Sequence, residues 1–211
     1  ELEAPNEEAV HKGIEILEHL IGVIKSFGIP VVVALNHFPT DTPGETAIVK
    51  RGAEEAGAFA AVESRVFAEG GAGGVDLAEA LIEAVSGDQP KIHYAYDVES
   101  PILDKVDALA KLVYNAENVQ WSLSARRLLR QFEEHGWGHL PVCVAKTHLS
   151  ISHRAALKGR PSGYTFEISD VRASVGAGFI YPIAGNVVTM PGLPGSPRAL
   201  DVDDRGNILG L

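Results

Sequence analysis

Residues 29–35 form an almost purely apolar, β-branched run, Ile-Pro-Val-Val-Val-Ala-Leu. A run of this kind reads as a strand buried on both faces, the usual state in a parallel sheet with helices packed on it. The preceding segment supplies one such helix. Ile14, Leu17, Leu20, Ile21 and Ile24 recur at helical spacing over residues 13–25, with Glu15, Glu18 and Lys25 off that stripe. Gly28 then supplies a stop. Residues 36–44 carry two prolines and form a loop at the carboxyl end of the strand, the edge where ligands bind in open α/β sheets. The first 44 residues therefore look like one αβ unit, too small to be a domain alone, and the clearest joint lies near residues 39–44. The chain opens almost at once into a helix, as expected of a piece of something longer.

The theme repeats downstream. Residues 46–57 read as a helix and 59–67 as a strand, followed by the glycine cluster Gly70, Gly71, Gly73 and Gly74. A helix over Val75–Val85 carries Val75, Ala78, Leu81, Ile82 and Val85 on one stripe. Residues 91–96 are a short strand candidate. Ser100 stands as N-cap, and Pro101 as first residue, of a helix running to about Tyr114. Ser122 or Ser124 caps the next helix, which buries Leu128, Leu129 and Phe132 and stops at Gly136. Residues 140–145 read as a buried strand, and 147–163 as a long polar loop, a feature often functional in compact domains. Residues 164–168, 179–183 and 187–190 look like strands. Residues 201–211 resemble a closing hairpin with its turn at 204–207.

At ~100–200 residues per domain, the 211 residues allow one large domain, or one domain and part of another. Lys and Arg total 18 against 28 Asp and Glu, a net charge of −10, so a broad nucleic-acid footprint is not expected. A local pocket can still take an anion. The one cysteine, Cys143, cannot form an internal disulfide and reads as a buried thiol in a reducing compartment. Residues 1–8 are acidic and lack the pattern of a signal peptide, and no apolar run approaches the ~20 residues of a membrane span. The expectation is a cytoplasmic protein that engages neither membrane nor nucleic acid.

Several constellations bear on chemistry. The GGAGG of Gly70–Gly74 leads into a helix, so its N–H groups are candidates to hold an anion, or simply to make a tight turn. It is not a Walker A sequence, and none occurs in the chain. Cys143, His148 and His153 lack a fourth ligand in a zinc-type spacing, so no metal site is assigned. Lys146, Lys158, Arg160, Arg172 and Arg198 stand out in an acidic chain and together could hold a phosphate or carboxylate, although singly each reads as a solvated charge. Phe67, Tyr94 and Tyr96 fall at strand ends, where aromatic rings either stack on a planar heterocycle or pack at the core rim. Asn36 and Asp41 follow the first strand, suited to a base edge, a metal-phosphate or an ordinary turn. The loops at 172–178 and 190–194 are shaped by glycine and proline.

At these same places stand the strings VVVALN-x-F-x-x-DT (31–42), FAEGGAGG (67–74), Tyr96-Asp97 with Pro101-Ile102, LPVCVAKTHLS (140–150), KGRP (158–161), VRASVGAGFIYP (171–182) and TMPGLP (189–194). Collinear over nearly the whole chain, they resemble the carboxyl-terminal portion of formate–tetrahydrofolate ligase. The resemblance implies an α/β fold. Residues 1–44 would be the closing segment of a P-loop-type parallel-sheet nucleotide domain, and 45–211 a smaller α/β domain with a mixed sheet. It also implies the substrates formate, MgATP and tetrahydrofolate, and a route through formyl phosphate to 10-formyltetrahydrofolate. The phosphate loop and catalytic residues would lie in an N-terminal part outside this chain, so these residues alone are expected to be inactive. On this resemblance Phe67 and Tyr96, with Tyr94 as a fallback, sandwich the pteridine. Asn36, Asp41, Thr42, Pro191 and Gly192 lie at the nucleotide cleft. A monovalent cation and homo-oligomerisation of the complete protein go with the family, and no tightly bound metal is expected here. A non-catalytic folate-binding or assembly module is the alternative.

Overall fold

Asn6 opens the first helix: its side chain accepts the Ala9 N–H at 2.9 Å, satisfying a donor that the first turn leaves free. In the computed structural model, which describes residues 4–87, 90–187, 201–203, 205 and 208–209, this helix, α1, spans Glu7–Ser26 and so starts nearly two turns before the apolar stripe. Gly28, at φ +77°, ends it, and an added Cβ would meet the Lys91 carbonyl oxygen at 2.1 Å. Strand β1 follows at Val32–Asn36. Thr42 and Glu45 then close a reciprocal capping box that starts α2 (Pro43–Glu55) ahead of the expected Thr46. Strand β2, Ala60–Ser64, pairs parallel with β1 from Val32↔Ala60 to Asn36↔Ser64. This ladder and the packing of α1 on α2 join elements on both sides of the joint at 39–44.

The strand expected to reach Phe67 stops at Ser64, because residues 66–69 coil into a short helix, α3 (Val66–Glu69). The glycine cluster continues as a 3₁₀ turn, Gly70–Gly74, into α4, Val75–Val85 as expected. None of the residues of α4 is fully buried. Ile82 is 64% and Val85 75% exposed, so the apolar stripe lies on its open face. The core of this first unit is small: Ile21, Val31 and Ala53, with Leu17, Val33 and Ala61 partly buried against it.

Residues 91–96 add no strand; His93 N donates to Phe27 O at 3.0 Å, and Tyr94 stands 84% exposed. The second unit begins with α5, Ile102–Leu112, whose N-cap is Pro101 with no side-chain hydrogen bond, so Ser100 does not cap it. A four-residue strand that the sequence analysis did not assign, β3 (Asn118–Trp121), comes next. Ser122 Oγ then accepts the Ala125 N–H at 3.0 Å to start α6 (Leu123–Glu134), which ends before Gly136 at φ +76°. Strand β4, Thr165–Ser174, runs parallel to β3 and antiparallel to β5, Phe179–Ala184, with an irregular register between Ile168 and Asp170. Residues 140–145 form no continuous strand. They touch β5 through the single parallel bridges Val142↔Ile180 and Ala145↔Ile183. Cys143 is exposed on this edge, contrary to the buried thiol expected.

Residues 147–163 form the long loop the sequence suggested, and within it Ser152 and His153 are buried. The terminal hairpin is present as β6 (Asp201–Val202) paired antiparallel with β7 (Ile208–Leu209). The strand expected at 187–190 lies, apart from Val187, outside the described residues, as do Arg198 and the whole 190–194 loop. The second core is large, built from Ile102, Val106, Trp121, Leu129, Phe166, Ile168, Val171 and Ile180, among others. The fold class is thus α/β with one parallel and one mixed sheet. No helix among the described residues is long and apolar enough to cross a membrane.

Candidate ligand cleft at the carboxyl edge of the first sheet

Parallel pairing in register brings Asn36 and Ser64 level, so the segments that follow both strands emerge at one edge. His37 N donates to Ser64 O at 3.0 Å and extends the ladder by one bond. Beyond it the chain turns sharply: Phe38 N donates to Asp41 Oδ2 at 2.8 Å, and Asp41 N to Phe38 O at 3.0 Å. The turn leaves the Phe38 ring 62% exposed. On the neighbouring strand, Phe67 sits on α3, fully exposed. Two aromatic rings therefore stand free at the carboxyl edge of one parallel pair, where open α/β sheets bind ligands. Phe38 escaped notice as a site residue because the loop signal of two prolines masked it.

The glycine cluster shapes this edge. Arg65 N donates to Gly73 O at 3.0 Å, and a Cβ on Gly73 would meet the Arg65 carbonyl carbon and oxygen at 2.6 Å. Gly70 adopts φ +61°. Only glycine permits both, so the cluster folds tightly back on the end of β2 and presents Phe67 outward. Gly71 meets nothing within 4 Å, and Gly74 approaches the Val66 side chain.

Beside the rings lies a crevice of 280 Å³ lined by His37, Asp41, Thr42, Lys50, Glu63 and Arg65, among others. Glu63 accepts from Lys50 Nζ at 2.9 Å and from Arg65 Nη2 at 3.1 Å. The Lys50 hydrogen bond, and then that from Arg65, hold its carboxyl below the ordinary carboxylate value against the opposing effect of burial. His37 Nδ1 is buried without a hydrogen-bond partner, 3.7 Å from Glu63 Oε2 and 3.9 Å from Asp41 Oδ2. With two cations facing Glu63 and Asp41, the crevice carries no surplus positive charge. It suits a neutral, planar, hydrogen-bonding ligand better than a polyphosphate. Lys50, Glu63 and Arg65 were not singled out in the sequence, because a helix, a strand and the turn after it bring them together.

The other expected site residues divide. Thr42 is committed to the helix cap: its hydroxyl donates to Glu45 Oε2 at 2.8 Å and accepts from Glu45 N. Asn36 is exposed at the end of β1 and lines a second hollow, of 390 Å³, with Asp41 and Thr40. Tyr96 is half-buried against the second core, its hydroxyl accepting the Val142 N–H at 2.9 Å. Among the described residues, none of Phe38, Phe67, Tyr94 and Tyr96 contacts another aromatic ring. Pro191 and Gly192 lie outside the described residues. No group of three or more His, Cys, Asp or Glu among the described residues could hold a metal ion.

Comparison with known proteins gives this geometry a context. The family model for formate–tetrahydrofolate ligase matches residues 1–211. The formate–tetrahydrofolate ligase of Roseiflexus castenholzii is 49% identical over 208 residues, covering 98% of this chain and 37% of that protein. That of Desulforamulus reducens is 47% identical over 213 residues, covering 100% and 37%. The cytoplasmic C-1-tetrahydrofolate synthase of Saccharomyces cerevisiae is 47% identical over 208 residues, which are 98% of this chain and 22% of the yeast protein. The chain thus spans little more than a third of the ligases it matches. On the match to its whole length, the chain belongs to the formate–tetrahydrofolate ligase family.

Proposed function

We propose that the chain is the carboxyl-terminal part of an ATP-dependent ligase that forms 10-formyltetrahydrofolate from formate and tetrahydrofolate, and that it supplies the folate-facing side of the site. The observation that carries this reading is the pair of free rings, Phe38 and Phe67, at one sheet edge beside a charge-balanced crevice. A pteridine is planar, uncharged and rich in donors and acceptors, and it matches both features. Phe38 serves as the second ring, because the Tyr96 hydroxyl is engaged with the Val142 backbone.

In the proposed reaction a formate oxygen attacks the γ-phosphorus of ATP, and the bond to ADP breaks. The resulting formyl phosphate is attacked at carbon by N10 of the folate, which loses its proton as phosphate leaves. The first step needs cations around the phosphoryl oxygens. Lys50 and Arg65 are paired with Glu63 and the sequence holds no Walker A motif, so the triphosphate is assigned to the part of the ligase outside this chain. Among the described residues no group of three or more His, Cys, Asp or Glu is placed to hold Mg²⁺, so the metal that accompanies ATP is assigned with it to that other part. The second step needs the amine held in line and water kept from a labile anhydride, which a stacked pteridine achieves by fixing the rest of the molecule. The division of the complete protein at residue 44, its assembly as a homo-oligomer and its cytoplasmic location belong to the same proposal.

Isothermal titration of the 211-residue chain with tetrahydrofolate tests it. Phe67→Ala and Phe38→Ala are each expected to weaken binding by ~1–3 kcal/mol, and Tyr96→Ala to leave it unchanged. Loss with Tyr96→Ala but not Phe38→Ala would restore Tyr96 as the second ring. The chain alone is expected to show no ATP-dependent turnover. Absence of folate binding both by this chain and by a chain completed with the N-terminal part would end the reading.

A further inference from the structure

A further cavity, of 330 Å³, opens between α1 and the 146–159 loop, and neither Phe38 nor Phe67 lines it. Its walls are apolar: Ile16 and Leu20 of α1 on one side, Leu149 and Ile151 on the other, and the Tyr114 ring, which lies stacked on Phe166 at 4.9 Å. Two ammonium groups face it. Lys146 is half-buried; its Nζ donates to Thr147 O at 2.8 Å and to Ser150 O, and lies 5.5 Å from the Tyr114 ring centroid. Lys158 Nζ donates to Leu149 O at 2.8 Å. Among the described residues neither lysine has a carboxylate within 4.0 Å. Glu15 on α1 accepts from the Arg160 backbone N–H at 3.1 Å.

An ammonium drawn out of water costs free energy unless an opposite charge or enough acceptors replace the solvent. Burial holds the Lys146 pKa below the ordinary lysine value, as expected of such an uncompensated group. Carbonyl oxygens take two of its three protons and fix its position. The third proton, the free donors of Lys158 and the apolar walls describe the negative image of an amphiphilic anion. In a chain of net charge −10, the half-buried Lys146, with no carboxylate within 4.0 Å among the described residues, is not an ordinary solvated surface charge.

We propose that this cavity is a binding site for an organic carboxylate with a compact apolar or aromatic body, its charged end on Lys146 and Lys158 and its body against Tyr114, Ile16 and Leu20. The site is separate from the proposed folate edge and does not depend on it. Lys146 supplies the fixed charge and Lys158, being exposed, the adjustable one.

The test is isothermal titration of the 211-residue chain with benzoate, using benzamide as the uncharged control. Benzoate is expected to bind one to one, and benzamide at least roughly tenfold more weakly. Lys146→Met is expected to weaken benzoate by roughly tenfold or more and Lys158→Met by a smaller factor, with Lys146→Arg keeping most of the affinity. Leu20→Glu provides a variant at a half-exposed helix position, where the fold does not depend on the side chain. It places a carboxylate against the lysines and is expected to abolish the signal. No benzoate binding by the wild-type chain, equal binding of benzamide, or unchanged binding in both Lys146→Met and Leu20→Glu would each overturn the proposal. Binding by this chain but not by the complete ligase would also overturn it, since the cavity would then be a seam covered by the rest of the protein.

Discussion

The two units of this protein are built from the same alphabet and are filled very differently. In the second, helices α5 and α6 lay Ile102, Val106, Ala110, Ala125 and Leu129 on a mixed sheet, and Phe166, Ile168, Val171 and Ile180 close the core from the other side. In the first, α1, α2 and α4 surround only two strands, and burial of apolar side chains is confined to Ile21, Val31, Ile48 and Ala53. The apolar stripe of α4, as regular as any in the chain, faces outward. Amphipathicity therefore specifies a helix and its sticky face, while burial requires a partner surface large enough to cover that face. A two-stranded sheet is too narrow to do so.

Substitutions in the two units should separate this contrast by size. Phe166→Ala removes a fully buried ring stacked on Tyr114 and is expected to cost about 3–5 kcal/mol, read by denaturant unfolding. A cost below about 1 kcal/mol would mean that the second core is not the stabilising one. Lys105→Met comes next. Lys105 is wholly buried and donates to Gly138 O at 2.7 Å and Leu140 O at 3.0 Å. Leaving those carbonyls unpaired is expected to cost about 1.5–3 kcal/mol, measured the same way. Ile82→Ser on the open face of α4 is expected to change stability by no more than about 0.5 kcal/mol. The same substitution should reduce concentration-dependent association seen by light scattering, because exposed apolar patches promote it. A monodisperse wild-type monomer would sharpen the comparison in the opposite sense, by showing that the open face needs no cover.

Alkaline pH gives a smaller effect, confined to the second unit. Burial pushes Tyr114 and Tyr164 up to about 12 from the ordinary 10. A phenol whose pKa is raised by folding contributes stability that is fully present below pH 10 and lost as pH rises toward 12. Tyrosinate absorbance should therefore show Tyr114 and Tyr164 titrating late, with stability declining over that window and not below it.

Much of the fold was legible because the signals were local. The stripe over Val75–Val85, the Ser122 cap and the β-branched run before Asn36 each state their structure within a dozen residues. The misses have the opposite character. Residues 91–96 alternate as a strand should but find no ladder to join, whereas Asn118–Trp121 alternates over only four residues and becomes a strand because β4 lies alongside. At the candidate site, Phe67 and the shaping glycines could be read in advance, since positive φ and close approach are demands that only glycine meets.

The sequence by itself determined the family, most of the helices and the apolar strand whose carboxyl edge leads to Phe38. Only the tertiary structure decided that Phe38 shares that edge with Phe67, that Lys50 and Arg65 neutralise Glu63, and that Lys146 is drawn beneath α1 without a counter-charge. The reason is one of range. Periodicity, caps and turn residues act over a few positions, whereas charge balance and burial depend on groups that chain distance keeps apart and only packing brings together.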